Sequence, residues 1–305
     1  MEDNTKGPIL VTGASTGIGN HICTYLADRG HLVYGTVRKD GDFTKLQGLQ
    51  NVIPIKVDVR DSTQIQKAHD KIVNEGQGLF GLVNNAGIGE LGMLNTWTDD
   101  EILNIFDVNV FGVHRMVNSF LDLLIESQGR IINIGSQGGM ISKKYFGPYC
   151  MTKHALEAYT DVLADELESY GVKVSLIQPG GVVSEAAATS MAGTITRCQR
   201  AEPPFTDEAQ QILEYLTTST EYSSDEVESE ENRHISSPEI VSRAVYGSLF
   251  SSKPKLRYLV GTKWEGDRVI HGLIKKLLCE NDNPQHGYSR DELIGQDHRL
   301  LNSGF

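Results

Sequence analysis

Thr12-Gly13-Ala14-Ser15-Thr16-Gly17-Ile18-Gly19 stands between an apolar run at residues 9–12 and a helix-length stretch at 17–28. In that position the three glycines have separate tasks. Gly13 permits a tight exit from a strand, Gly17 lets backbone approach a ligand, and Gly19 allows close packing of helix on strand. A pyrophosphate placed there meets free N–H groups and the positive end of the helix dipole. The stretch therefore predicts a strand–turn–helix unit that binds a dinucleotide, with Gly13, Ser15, Thr16, Gly17, Ile18 and Gly19 around the phosphates.

The same alternation continues along the chain. Apolar runs bounded by Gly, Asn or Pro read as buried strands at 9–12, 32–36, 52–57, 81–84, 130–134, 173–178 and 257–260. Helix-length stretches lie between them at 17–28, 62–75, 99–124, 148–170 and 238–250. In the fourth, Leu156, Tyr159, Leu163 and Leu167 recur at three and four residues and form one core-facing stripe. Strands alternating with helices imply βαβ crossovers and a parallel sheet covered on both faces. The expected architecture is a single α/β domain with a doubly wound parallel sheet of about seven strands. Residues 1–278 are assigned to it, and 279–305 to a polar tail.

One connection is long. Residues 179–238 contain no strand signal, and 185–237 read as an insertion in which Leu213-Glu214-Tyr215-Leu216 form a short helix and 222–231 are solvated or mobile. The insertion also holds most of the charge imbalance. The chain has 305 residues, 28 Lys+Arg, 40 Asp+Glu and a net charge of −12. Ten acidic residues and no Lys or Arg fall in 201–232, which leaves −2 on the other 273 residues.

That balance argues against a phosphate-backbone binder, so no nucleic-acid partner is expected. No apolar run is long enough to span a membrane. The acidic start, Met1-Glu2-Asp3-Asn4, is unlike a secretory signal. The four cysteines are too scattered for a disulfide scaffold or zinc cluster, and the nine histidines show no metal spacing. A soluble cytoplasmic protein without a metal is the expectation.

The nucleotide type is read at the end of the second strand, where Thr36-Val37-Arg38-Lys39 replaces the acid that commonly holds a ribose 2′-hydroxyl. A guanidinium fork beside an ammonium suits a 2′-phosphate instead. Arg38 and Lys39 thus predict NADP(H) over NAD(H).

Tyr149 and Lys153 stand at i and i+4 and share a helix face. A phenol titrates near ~10, and a neighbouring ammonium draws that value toward the working range for proton transfer. Ser136 follows a strand at its carboxyl end, where open α/β sheets bind ligands, and its hydroxyl can donate to a carbonyl oxygen. Cys150, next to the tyrosine, reads as a small packing residue.

With these residues in place, the chain resembles the short-chain dehydrogenase/reductase family over nearly its whole length. The matching motifs are Thr12-Gly13-x-x-x-Gly17-x-Gly19, Asp58-Val59, Asn84-Asn85-Ala86-Gly87, Asn109, Ser136, Tyr149-x-x-x-Lys153 and Pro179-Gly180. The resemblance implies a Rossmann-like fold in which Tyr149 is the general acid/base and Ser136 polarises the carbonyl. It makes Lys153 the residue that lowers the Tyr149 pKa and holds the nicotinamide ribose, and Asn109 the support of a water-linked proton relay. Asp58 and Val59 would meet the adenine, and Asn85, Ala86 and Gly87 would pass along the adenosine ribose. After Pro179 and Gly180, Val182 would meet the nicotinamide carboxamide and the hydroxyl of Ser184 a phosphate. Ser184 stands where the family usually has a threonine.

Thr36-Val37-Arg38-Lys39, Phe146-Gly147-Pro148-Tyr149 and Arg257-Tyr258-Leu259-Val260-Gly261 are similar to the branch of 17β-hydroxysteroid and retinol dehydrogenases. The implied reaction interconverts a ketone or aldehyde with a fairly apolar, secondary alcohol. The alternatives are a non-catalytic dinucleotide sensor on the same fold and an epimerase or dehydratase of the extended branch. The helix over 106–124 is the expected face of a homodimer or homotetramer.

Overall fold

The computed structural model describes residues 6–183, 186–219, 235–282, 287–289 and 291–292. The expected stretch 222–231, Ser184 and most of the tail lie outside the described residues.

Each apolar run becomes a strand: β1 (Ile9–Val11), β2 (Val33–Val37), β3 (Val52–Lys56), β4 (Gly81–Asn84), β5 (Arg130–Ile134), β6 (Lys173–Pro179) and β7 (Arg257–Val260). All pairings are parallel, and the order is β3-β2-β1-β4-β5-β6-β7. Helices α1 (Gly17–Ala27), α2 (Asp40–Gln47), α3 (Ser62–Glu75), α4 (Asp99–Phe106), α5 (Gly112–Glu126), α6 (Gly147–Leu167), α7 (Ala186–Gln199), α8 (Thr206–Ser219), α9 (Pro238–Phe250) and α10 (Lys263–Asn281) complete the described elements. One compact unit, Met1–Gly266, carries the whole sheet; Asp267–Phe305 is a second unit.

Successive strand residues point to opposite faces, so the continuous apolar strands feed two cores. Leu10, Leu82, Ile131 and Leu176 join Ile65, Phe120, Leu156 and Leu163 on the face covered by α3, α5 and α6. Their neighbours Ile9, Val83, Ile132 and Ile177 join Ile22, Leu26, Val241 and Val245 under α1 and α9. Each fully buried Leu, Ile or Val contributes roughly 1.5–3 kcal/mol.

The helix expected over 99–124 is interrupted. A π turn at Asp107–Phe111 separates α4 from α5. The insertion after β6 holds two full helices, α7 and α8, in place of one short helix, and α8 contains Leu213 and Glu214. Their own small core joins Cys198, Ala209 and Ile212 to Met93, with Tyr145 packed against it.

Candidate active site

The chain leaves β1 to build β2 and β3 on one side, then crosses to β4 on the other. Open α/β sheets bind ligands at such a reversal, outside the strand carboxyl ends. Thr12-Gly13, Asn85-Ala86-Gly87, Ser136 and Gly180 emerge there from β1, β4, β5 and β6.

The glycine turn has the geometry its sequence implies. Gly13 and Gly17 take φ of +67° and +57°. A Cβ on Gly13 would lie 2.8 Å from Ala86 Cα, and one on Gly19 would collide with Gly13 O and Asn85 Nδ2. The turn is clamped to the segment after β4: Thr12 Oγ1 accepts from Asn85 N (2.9 Å) and Ala86 N (3.0 Å), and Asn85 Nδ2 donates to Thr12 O (2.9 Å). Asp61, Thr98 and Ser237 cap α3, α4 and α9 with their side chains, whereas Thr16 makes no such bond to α1. A cradle of close glycines under a helix start without a side-chain cap fits a dinucleotide pyrophosphate.

Arg38 and Lys39 follow β2 and are exposed. The nearby acid does not oppose them: Asp40 pairs with Lys56 at 2.7 Å. Asp58 is engaged by Arg60, which donates to Oδ1 through N and Nε (both 3.0 Å) and to Oδ2 through Nη2 (2.7 Å). Those hydrogen bonds hold its carboxyl below the usual range, with the fields of Arg60 and Arg38 adding to the effect. Val59 is buried.

Pro148 in the first turn starts α6 and sets Tyr149 and Lys153 one turn apart. Tyr149 is half-buried beside Ser136, whose Oγ accepts from Gly138 N at 3.0 Å. Burial pushes the phenol up, a hydrogen bond with the Ser136 side chain pulls it partway back, and neighbouring Cys150 adds to the rise. The net displacement of the phenol is upward, and Lys153 is not among the groups that set it. Lys153 Nζ donates to Ile134 O at 2.7 Å and stands 5.7 Å from the centre of the Tyr149 ring. Burial pushes its ammonium down to about 8.

Asn109 sits on the π turn, a feature frequent at functional sites. Its Oδ1 accepts from Ile88 N (2.8 Å), and its Nδ2 donates to Ile88 O (2.9 Å) and Thr152 Oγ1 (3.1 Å). Thr152 Oγ1 in turn donates to Tyr149 O at 2.7 Å. Asn109 thus ties the segment after β4 to the catalytic turn of α6. Val182 packs against the core under α9 and pairs with Ser236 in an isolated bridge.

A family model described as short chain dehydrogenase matches residues 8–194. The chain belongs to that family. The chain spans less than two thirds of the length of the first curated relatives it matches. The chain is 38% identical over 173 residues to the 3-ketodihydrosphingosine reductase of Bacteroides thetaiotaomicron, covering 56% of the chain and 62% of the relative. It is 32% identical over 265 residues to the NADPH-dependent 3-dehydrocapnine reductase of Ornithobacterium rhinotracheale, covering 83% and 88%. It is also 32% identical over 194 residues to the 17-beta-hydroxysteroid dehydrogenase type 2 of Homo sapiens, covering 60% and 49%. The fold is shared with a solved short-chain dehydrogenase from Streptomyces avermitilis, with a TM-score of 0.70, 24% identity and 98% coverage of both chains.

Two groups near the site escaped the sequence reading. Arg197 on α7 is 1% exposed. It pairs with Glu90 (2.5 Å) and Glu101 (3.3 Å), donates to Leu91 O (2.8 Å) and stacks 3.8 Å over Trp97. Burial works against the Glu101 charge, but hydrogen bonds from Arg200 and Thr98 N and the fields of both arginines bring its carboxyl down to about 2. Its partners lie about a hundred residues away, beyond any local motif. Glu265 is the second. Its signal was a local one, the spacing Thr262-x-x-Glu265 of a capping box. No group of three or more His, Cys, Asp or Glu among the described residues is arranged to hold a metal.

Proposed function

We propose that this chain is an NADP(H)-dependent reductase/dehydrogenase that interconverts a ketone or aldehyde with a fairly apolar, secondary alcohol. One observation carries the reading: Tyr149, Ser136 and Lys153 meet at the carboxyl end of β5, beside the glycine cradle. Gly13 to Gly19 would hold the pyrophosphate, and Arg38 and Lys39 the 2′-phosphate. Asp58, Val59 and Asn85 to Gly87 would hold the adenosine, and Pro179, Gly180, Val182 and Ser184 the nicotinamide side. When bound, the nicotinamide supplies or takes up a hydride.

The protein's own groups handle the oxygen and its proton. Ser136 Oγ–H donates to the carbonyl oxygen and fixes it beside the phenol. In reduction Tyr149 delivers its proton to that oxygen, and in oxidation its phenolate takes one up. Lys153, held by Ile134 O, keeps a cation one helical turn from the phenolate. Asn109 fixes this geometry through Thr152.

The NADPH named for the Ornithobacterium relative supports the cofactor preference. Relatives named for a ketodihydrosphingosine and a hydroxysteroid support an apolar substrate. Exposed Leu103 and Phe111 on α4 and the π turn suit a homodimer or homotetramer. The test is turnover with NADPH on a panel of ketones and alcohols. Tyr149→Phe should lower kcat by about a thousandfold or more while NADPH still binds; an active phenylalanine variant overturns the acid/base assignment.

A further inference from the structure

Glu265 is the one acidic side chain among the described residues that is buried, at 2% exposure, and the proton chemistry above makes no use of it. It stands in the first turn of α10. Its Oε2 accepts from Thr262 N at 2.9 Å, and Thr262 Oγ1 accepts in return from Glu265 N at 3.3 Å. That is a reciprocal N-terminal capping box. The other oxygen leaves the box: Oε1 accepts from Gly181 N at 2.5 Å, 84 residues away in sequence, in the turn after β6.

This approach dictates glycine on the other side. A Cβ on Gly180 would collide with the Glu265 carboxylate, and one on Gly261 would lie 2.6 Å from its Oε2. Gly180 has no positive φ, so the carboxylate, rather than backbone strain, is what excludes a side chain there. The turn is also held from two further sides. Gly180 N donates to Val260 O at 3.0 Å, and Ser236 N donates to Gly181 O at 2.8 Å. Glu265 therefore fixes the backbone from which Val182 projects.

We propose that Glu265 is a positioning residue for the nicotinamide end of the cofactor, holding the Gly180-Gly181 turn in the shape that end requires. The inference rests on the dinucleotide reading above. A role confined to capping α10 would touch stability alone, so the test separates the two ends of the cofactor. The probes are NADPH and adenosine 2′,5′-bisphosphate, which has the adenosine end and no nicotinamide. Both are titrated by fluorescence and competition against the full-length chain.

Glu265→Ala should weaken NADPH by about tenfold and leave the bisphosphate unchanged. Thr262→Ala, which removes the Oγ1 half of the cap but spares the Gly181 contact, should leave both unchanged. If the alanine variant does not fold, Glu265→Asp decides: one methylene shorter, its carboxylate draws back from Gly181 N, and NADPH should weaken by about threefold. Unchanged NADPH binding in every folded Glu265 variant, or equal weakening of both probes, overturns the proposal. Wild-type protein that binds neither probe overturns the dinucleotide reading itself.

Discussion

Arg197 and Glu90 form an ion pair of 2.5 Å that joins α7 to the segment after β4. The same segment carries Gly89, where a Cβ would lie only 3.4 Å from the Tyr149 ring. The helix that follows the Gly180-Gly181 turn and the backbone that backs the Tyr149 ring are therefore one mechanical unit. Thr194 Oγ1 adds a second tie by accepting from Leu91 N at 3.1 Å.

Breaking that unit should affect substrate before cofactor. Arg197→Met strands Glu90 and Glu101 without their buried partner. Loss of one member of a buried pair costs about 3–5 kcal/mol. Both carboxylates are about a quarter exposed, and solvent screening reduces the figure to about 2 kcal/mol. The expected fall in Tm is about 4–8 °C. KM for the best ketone of a panel should rise severalfold, with NADPH affinity unchanged. Arg197→Lys keeps the charge but loses the fork that meets two carboxylates and Leu91 O, so recovery should be partial. A ketone KM that stays at the wild-type value would refute the coupling.

What the sequence made legible follows from what is local. The run at 9–12 declared itself as a strand because both faces of the sheet are covered there, so Ile9, Leu10 and Val11 are all apolar and buried. The cradle was legible because Gly13, Gly17 and Gly19 each answer to a steric demand within a few residues. The π turn was not, since the apolar pattern of 99–124 runs through Asp107–Phe111 without a break. Helix α7 and the first half of α8 were missed because their apolar residues, Cys198, Ala209 and Ile212, pack mainly on Met93 and Tyr145 from distant loops. Arg197 depends on Glu90, 107 residues away, whereas Glu265 carried a local capping-box signal whose second partner, Gly181, lies 84 residues away.

Lys153 should leave a mark on stability at alkaline pH. Its folded value is about 8 against an ordinary 10.5, with burial as the cause. Below about pH 8 the lysine is protonated in both states, and the cost of burying its charge is constant. Between about 8 and 10.5 the unfolded chain binds a proton that the folded chain has released, so this group makes stability rise with pH. Lys153→Met removes the titration and keeps an apolar stem of similar length. The difference in Tm, wild type minus variant, should therefore increase across that window in parallel thermal melts. A flat difference would show that the folded lysine titrates near its ordinary value.

Arg38 should decide between the two nicotinamide dinucleotides. Asp40 is occupied by Lys56 and Asp58 by Arg60, which leaves Arg38 and Lys39 as the exposed cations at the end of β2. A 2′-phosphate brings about two negative charges to that place, whereas a 2′-hydroxyl brings none and prefers a carboxylate partner. Arg38→Asp removes a bidentate donor and adds repulsion, so NADPH should bind about 10–100-fold more weakly. NADH should hold its affinity or gain, since the new carboxylate can accept from the ribose hydroxyl. Salt gives an independent check, because added chloride should weaken NADPH binding to wild type far more than to the variant. If both cofactors weaken together, Arg38 supports the strand end rather than reading the phosphate.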